Sequence, residues 1–387
     1  MAEADAVDAA PPRGAPAAPA PEEAAAPALI LGCGSLYTRA GFAGEAGPRT
    51  TFTSVVGHAK VPGVLAGGAD VAVGSAALAQ AALARLAWPV GANGRVADWG
   101  NAEVLWRHAF YGPLGAAPDE HAVLLLDVGA AADRERALER LFEVFGVPAA
   151  YVLAEPLGAL YAAGRTSGVV VDVGDAGARV DVVLEGRVLR RAARTTSVGG
   201  RRVAQTLCEL LAERGVRLPL GAAARGAVEV AAFVSADFYG DCALDPASFS
   251  MRHALPDGSD VQLRAERFRA AEAVFAPTLV GVDEDGLARV VQAAIRAAPL
   301  EARPALYANI VAAGGASMLR GLPERLSREL TSIAGVPVDV VAPPSRGELA
   351  WRGGAALAAR PAFQGMWVTR EEFRELGAEA TVARRCF

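Results

Sequence analysis

The chain has few of the residues from which metal centres and disulfide frameworks are built. Its four cysteines (Cys33, Cys208, Cys242, Cys386) stand far apart with no C-x-x-C pair. That usage fits a reducing, intracellular compartment better than a secreted one. The four histidines (His58, His108, His121, His253) show neither H-E-x-x-H nor clustered spacing, which argues against a zinc site. Positive charge is not in excess: 38 basic against 43 acidic residues leave a net charge of −5. No nucleic-acid or anionic-membrane footprint is therefore expected. No apolar run approaches membrane-spanning length without a glycine or charge interrupting it, so no membrane insertion is expected. Residues 1–27 are rich in Ala and Pro, with five acidic residues against Arg13, and lack both a basic n-region and an apolar h-region. They read as a disordered tail rather than a signal peptide.

What is present points to a two-lobed α/β protein. A chain of 387 residues exceeds one simple core, and a hydrophobic fraction of 52%, much of it alanine, is ample for globular lobes. The chain is organised around GVVVDVGDAGARVDVVLEG, residues 168–186. Strand Val169 to Asp172 runs into the turn Gly174-Asp175-Ala176-Gly177, and a second alternating strand, Ala178 to Leu184, leaves it. Glycines in such a turn let backbone N–H groups approach an anion, and an aspartate at the strand end can hold a hydrated divalent cation. A second copy of this strand–turn–strand pattern spans Ala28 to Gly44. Setting Gly34 over Gly174 places Ser35 on Asp175 and Gly32 on Asp172. The pair suggests a duplicated lobe in which each copy offers one phosphate clamp to a shared cleft. Only the second copy keeps a carboxylate at the strand end.

Elsewhere strands and helices alternate, as an α/β class requires. Gly63 to Gly74 reads as a mobile loop and Ala76 to Leu86 as a short helix. Apolar spacing predicts helices over Glu103 to Phe110 and Asp133 to Phe145. His121 to Val128 and Val147 to Leu153 read as strands, the latter entering a helix at Glu155-Pro156 that continues to Ala163. Further helices are expected over Val203 to Arg214, Ala224 to Asp237 and Pro323 to Leu330, with strands from Ile310 and over Val338 to Val341.

Several segments carry a family resemblance. AGFAG (40–44), ALYAAGRTSGVVVDVGD (159–175), ERGV (213–216), AGGASMLRG (313–321), VAPP (341–344), FQGMW (363–367) and the terminal RRCF resemble actin over almost everything from Ala28 to Phe387. The resemblance implies the duplicated, ribonuclease-H-like two-lobe ATPase fold with four subdomains around an ATP cleft. Subdomain 1 is then residues 28–53, 89–162 and 349–387, and subdomain 2 is 54–88. Subdomain 3 is 163–197 and 283–348, and subdomain 4 is 198–282.

Carried over residue by residue, the resemblance puts Gly34 and Ser35 on the first phosphate loop, and Asp172, Gly174 and Asp175 on the second. Glu229 falls where the family binds ribose, and Gly314, Gly315 and Met318 fall on the adenosine loop. The departures are many. The metal-associated aspartate of the first loop is Gly32, the asparagine after it is Cys33, and the loop's closing glycine is Leu36. The phosphate-contacting lysine is Arg39, a change of shape at constant charge. Glu155 stands where a glutamine positions the attacking water, and Arg179 where a histidine supports it. Val228 and Gly347 replace lysines, and Leu319 replaces an aromatic. Phosphoryl transfer depends on positioning and on charge neutralisation around Mg²⁺. Losing a carboxylate and both water-orienting groups should cut hydrolysis severely. Lost base contacts weaken affinity by about 1–3 kcal/mol in sum.

The expectation is an actin-like structural or scaffolding protein of the cytoplasmic cytoskeleton, with a degenerate cleft for ATP or ADP with Mg²⁺ and little or no hydrolysis. Asp172 is the one metal candidate, acting through water, or else a carboxylate that caps the hairpin. Glu155 is either a general base or, the favoured reading, a carboxylate stabilising a helix N-terminus. Glu229 is a ribose ligand or a solvated helix carboxylate, and Cys33 a small buried hydrophobe. Two other functions are carried: an active ATPase using Asp172 and Glu155 in a rearranged site, and an actin-related subunit of a chromatin-remodelling or dynactin-like assembly. Expected partners are cytoskeletal or actin-related proteins. The short, small-residue loop after Val56 and Arg360, beside Tyr161, Leu357 and Met366 in the partner groove, disfavour a regular homopolymer. By analogy the chain resembles the testis-type actin-like proteins of the sperm head.

Overall fold

A computed structural model describes residues 26–91, 94–127, 129–255 and 258–385. Most of the Ala/Pro-rich tail, the last residue of the strand expected up to Val128, and the final two residues lie outside that set.

The first lobe begins with β1 (Leu29–Cys33), whose five residues are all buried, and β2 (Tyr37–Phe42), then β3 (Thr50–Thr53). A small three-stranded sheet follows, made of β4 (Val56–Ala59), β5 (Val71–Val73) and β6 (Ala84–Ala87) with β4 in the middle. The large sheet resumes with β7 (Val123–Asp127) and β8 (Ala149–Ala154). The second lobe holds β9 (Gly168–Val173), β10 (Ala178–Leu184), β11 (Arg187–Val188) and β12 (Arg194–Thr196). A separate hairpin, β13 (Met251–Ala254) and β14 (Asp260–Leu263), lies between these and β15 (Ile310–Ala313) and β16 (Val340–Val341). Finally β17 (Val368–Thr369) returns to the edge of the first sheet beside β8.

The strand orders show the duplication. The first sheet runs β17-β8-β7-β1-β2-β3 and the second β16-β15-β9-β10-β11, with β12 also on β10. In each, a hairpin (β1–β2, β9–β10) is followed by two strands parallel to its first strand and to each other. These central strands are continuous apolar runs because both faces are covered. Strand alternation then sorts the residues by face. Leu29 and Leu31 enter one core, whereas Ile30 enters a middle layer. Val169, Val171 and Val173 enter the core of the second lobe, and Val170 the same middle layer.

That layer is built on the two helices through which the chain passes between lobes, Glu155–Ala162 and Leu349–Ala358. They touch backbone to backbone. A Cβ on Gly353 would lie 1.8 Å from the Gly158 carbonyl oxygen, and one on Gly158 would lie 2.5 Å from that of Ala350. The Trp351 indole Nε1 donates to the Ile30 carbonyl oxygen at 3.2 Å, tying the second crossing to β1.

Three sequence expectations need correction. The segment 63–74 is not all loop: Ala66–Gly68 forms a 3₁₀ turn and Val71–Val73 pairs with β4. The helix expected over 76–86 stops at Ala79, and Ala84–Ala87 is a strand. Ala84–Ala87, read ARLA, carries no strand propensity and exists because β4 pairs with it, and Val71–Val73 is too short to stand out from the glycine-rich segment around it. The helix expected over Ala224 to Asp237 ends at Ala231, after which Phe233 bridges to Arg320.

Candidate functional site

Strand alternation aims the ends of both hairpins at the space between the lobes. Gly32 shares a face with Ile30, and Asp172 with Val170. The two turns have one geometry: Gly34 N–H donates to the Tyr37 carbonyl at 3.0 Å, and Gly174 N–H to that of Gly177 at 2.9 Å. Register matches as well. Gly32 faces Arg39 across the first hairpin as Asp172 faces Arg179 across the second. Two residues further out, Gly41 faces Ile30 as Asp181 faces Val170. Equivalent positions thus read Gly, Arg, Gly on one side and Asp, Arg, Asp on the other.

Between them lies a cavity of about 360 Å³, within the usual range for a small-ligand site. All ten residues singled out from sequence line it: Gly34, Ser35, Glu155, Asp172, Gly174, Asp175, Glu229, Gly314, Gly315 and Met318. So do several that sequence reading left without a role, among them Leu126, Asp181, Arg225 and Trp351. Asp181 was legible, since it lies two residues from Arg179 and so shares its face. Arg225 lies four residues before Glu229 on the helix Ala222–Ala231, and therefore on the same side of that helix.

The electrostatics are uneven. Asp172 sits deep in the cleft floor, and its carboxyl is pushed up to about 6 by burial and then by the Asp181 charge, with Arg39 and Arg179 opposing. Gly314, at φ +87°, closes over it. A Cβ there would lie 2.2 Å from Asp172 Oδ1, so only glycine fits. The buried Asp181 is held by Arg179 through Nε at 2.7 Å and Nη2 at 3.1 Å. Asp175 is also buried. Its Oδ2 accepts from Arg201 Nη2 at 2.7 Å and Nε at 3.0 Å. Its Oδ1 has no hydrogen-bond partner, with Arg225 Nη1 4.0 Å away. An orphaned buried carboxylate oxygen in a cavity wall suits a ligand hydroxyl or amine. Arg225 in turn lies over the Trp88 ring, 5.6 Å from its centroid, joining the helix Ala222–Ala231 to the chain just past β6.

Burial and Glu229 together raise the Tyr37 hydroxyl, burial being the larger cause, so the exposed Glu229 acts across the cleft on the other lobe. Glu155 opens its helix with Pro156 behind it, where a carboxylate favours the N-terminus, and also lines the cavity. Cys33 is buried with its thiol pushed up to about 11, chiefly by burial, and its Sγ lies 3.2 Å from Thr38 Oγ1. It is a packed hydrophobe rather than a nucleophile. Met318 is 45% exposed at the cavity rim, beside the open face of Gly347, where a Cβ would lie 3.5 Å from Met318 Cγ.

Two lobes of one strand order, each presenting a glycine turn and an arginine to the gap between them, define a duplicated α/β protein with a cleft lined by glycine turns and arginines. The actin family model matches residues 23–223 and 221–387. This chain belongs to the actin family, and its fold is the two-lobe fold of that family.

Proposed function

We propose that this actin-family chain is a structural component of the cytoskeleton, retaining a cleft for ATP or ADP that it hydrolyses little or not at all. The observation that carries this is the shared cavity. It gathers every residue expected to hold a nucleotide, while the positions expected to aim the attacking water carry Glu155 and Arg179. The glycine turns at Gly34-Ser35 and Gly174-Asp175 would cradle phosphates, Glu229 and Asp175 Oδ1, which has no hydrogen-bond partner, would meet the ribose, and Gly314, Gly315 and Met318 would flank the base. A bound nucleotide would then act as a brace between the lobes.

Outer surfaces support a role in heteromeric contacts. Tyr161 and Met366 are each 37% exposed, and exposed Arg360 sits at the end of the helix carrying Leu357. A guanidinium there disfavours an apolar partner helix and favours one bearing carboxylates. Likeness to the sperm-head members of the family rests on sequence resemblance alone.

The test is nucleotide content after gel filtration, followed by phosphate release from the parent chain and Glu155→Ala. The expected result is bound nucleotide with release at or near background in both. Turnover that Glu155→Ala abolishes would overturn the structural reading in favour of an ATPase with Glu155 as general base.

A further inference from the structure

The two sides of the cleft fit a divalent cation poorly. A hydrated Mg²⁺ is usually held by carboxylates acting directly or through its waters. On the first lobe both equivalent positions are glycine, and the space above Gly32 is taken by Leu126, whose Cδ1 would lie 3.0 Å from a Cβ at that position. On the second lobe Asp181 already binds Arg179 through both carboxylate oxygens. Asp172 is the one carboxylate left at these positions, and two arginines act on its charge. Among the described residues no group of three His, Cys, Asp or Glu side chains is placed to hold a metal.

The same positions fit phosphate well. Arg39 and Arg179 occupy equivalent sites of the two hairpins, each opposite the strand-end residue and each lining the cavity. Arg39 has no acidic partner on its own hairpin, where its neighbours across and along the strand pair are Gly32 and Gly41. Among the described residues it forms no ion pair; its described contact is with the Tyr37 ring, 5.9 Å from the centroid. Arg179 is held by Asp181 through two of its five N–H donors, which fixes the plane of the guanidinium. A pair of guanidiniums flanking two glycine turns matches the charge and the planar fork geometry of adjacent phosphoryl groups.

We propose that this cleft takes the phosphates of a nucleoside di- or triphosphate directly between Arg39 and Arg179 without a divalent cation, with Asp181 as the positioning residue that aims Arg179. This rests on the nucleotide reading above. Metal-free ATP carries more negative charge than its Mg²⁺ complex and is therefore the better ligand for two arginines.

The experiment is calorimetric titration of the full chain with ATP, ADP and AMP, in excess EDTA and in excess MgCl₂. ATP is expected to bind as tightly or more tightly in EDTA. Arg179→Leu is expected to weaken ATP by about tenfold or more while moving AMP by less than about threefold, as loss of a charge-assisted bidentate contact requires. Arg179→Lys, which keeps charge but not the fork, falls between. Asp181→Asn lowers the ATP-over-AMP preference without abolishing it. ATP binding that is lost in EDTA and restored by MgCl₂ would overturn the proposal and leave the nucleotide reading standing, and that comparison needs no variant. A folded Arg179→Leu chain that keeps the parent's ATP-over-AMP preference would also overturn it. No binding of any nucleotide in either condition would end the nucleotide reading itself.

Discussion

Asp172→Asn is expected to leave the chain about 2 kcal/mol more stable than the parent at pH 7.5, with the gain shrinking as the pH falls towards 4. The sign follows from the carboxyl being raised to about 6 in the folded state, by burial first and Asp181 second. The folded chain then holds a proton that the unfolded chain has already lost. The cost of ionising Asp172 is absent below the unfolded carboxylate range, grows as the pH rises, and is complete above about 6. Two pH units correspond to nearly 3 kcal/mol, reduced here because water reaches the group through the cleft. Asparagine keeps the size and removes the ionisation. Urea melts of both chains between pH 5 and 8 would show it. A variant less stable at pH 7.5, or a difference that does not change with pH, would refute the assignment. A group that costs stability at neutral pH is the pattern expected where a site is kept for binding rather than for the fold.

The second large effect is expected at the crossing of the two connecting helices. Gly353→Ala would put a methyl 1.8 Å from the Gly158 carbonyl oxygen, and the obstacle is backbone rather than a side chain that can swing away. The helices must part, at a cost of about 3 kcal/mol or more. For a chain of this size that is a fall in melting temperature of about 4 °C. Gly226→Ala is the control. It lies in the helix Ala222–Ala231 with nothing within 4 Å of the added methyl, and should be neutral or stabilising. Equal melting temperatures for the Gly353 and Gly226 variants would show that the crossing yields freely. A larger effect is predicted than burial alone suggests, because the crossing lies in the layer that both lobes share.

Sequence and structure part company in an instructive way. Glycine turns were readable because their chemistry is local: Gly34 and Gly174 announce their hairpins, and aligning them already paired Gly32 with Asp172. The gathering of Glu229, Gly314 and Met318 into the same cavity followed only from resemblance, since nothing local says that residues 229 and 318 approach residue 34. Asp181 was overlooked because its neighbours Val180, Val182 and Val183 make the segment look like plain core. Its buried carboxylate makes sense only once Arg179 is seen beside it. The same alignment already set Arg39 on Arg179 and Gly41 on Asp181; what the register added is that each arginine faces the strand-end residue of its own hairpin, Gly32 or Asp172. The small sheet of residues 56–87 was misread for the opposite reason: its strands are specified by their partners rather than by their own composition.

The last strand of the first lobe has a consequence for the order in which the chain is made. The second lobe takes all the strands of its sheet from residues 168–341, a single continuous stretch. The first takes its strands from residues 29–154 and closes with Val368–Thr369, while the Trp351 bond to Ile30 spans 321 positions. A chain leaving the ribosome begins folding from its N-terminal end. Here the lobe that emerges first must hold β1, β7 and β8 without their final edge strand or crossing helix until residues 349–369 have been made. Of the two sheets, the one that starts first is completed second, and its β8 edge stays unpaired during that interval.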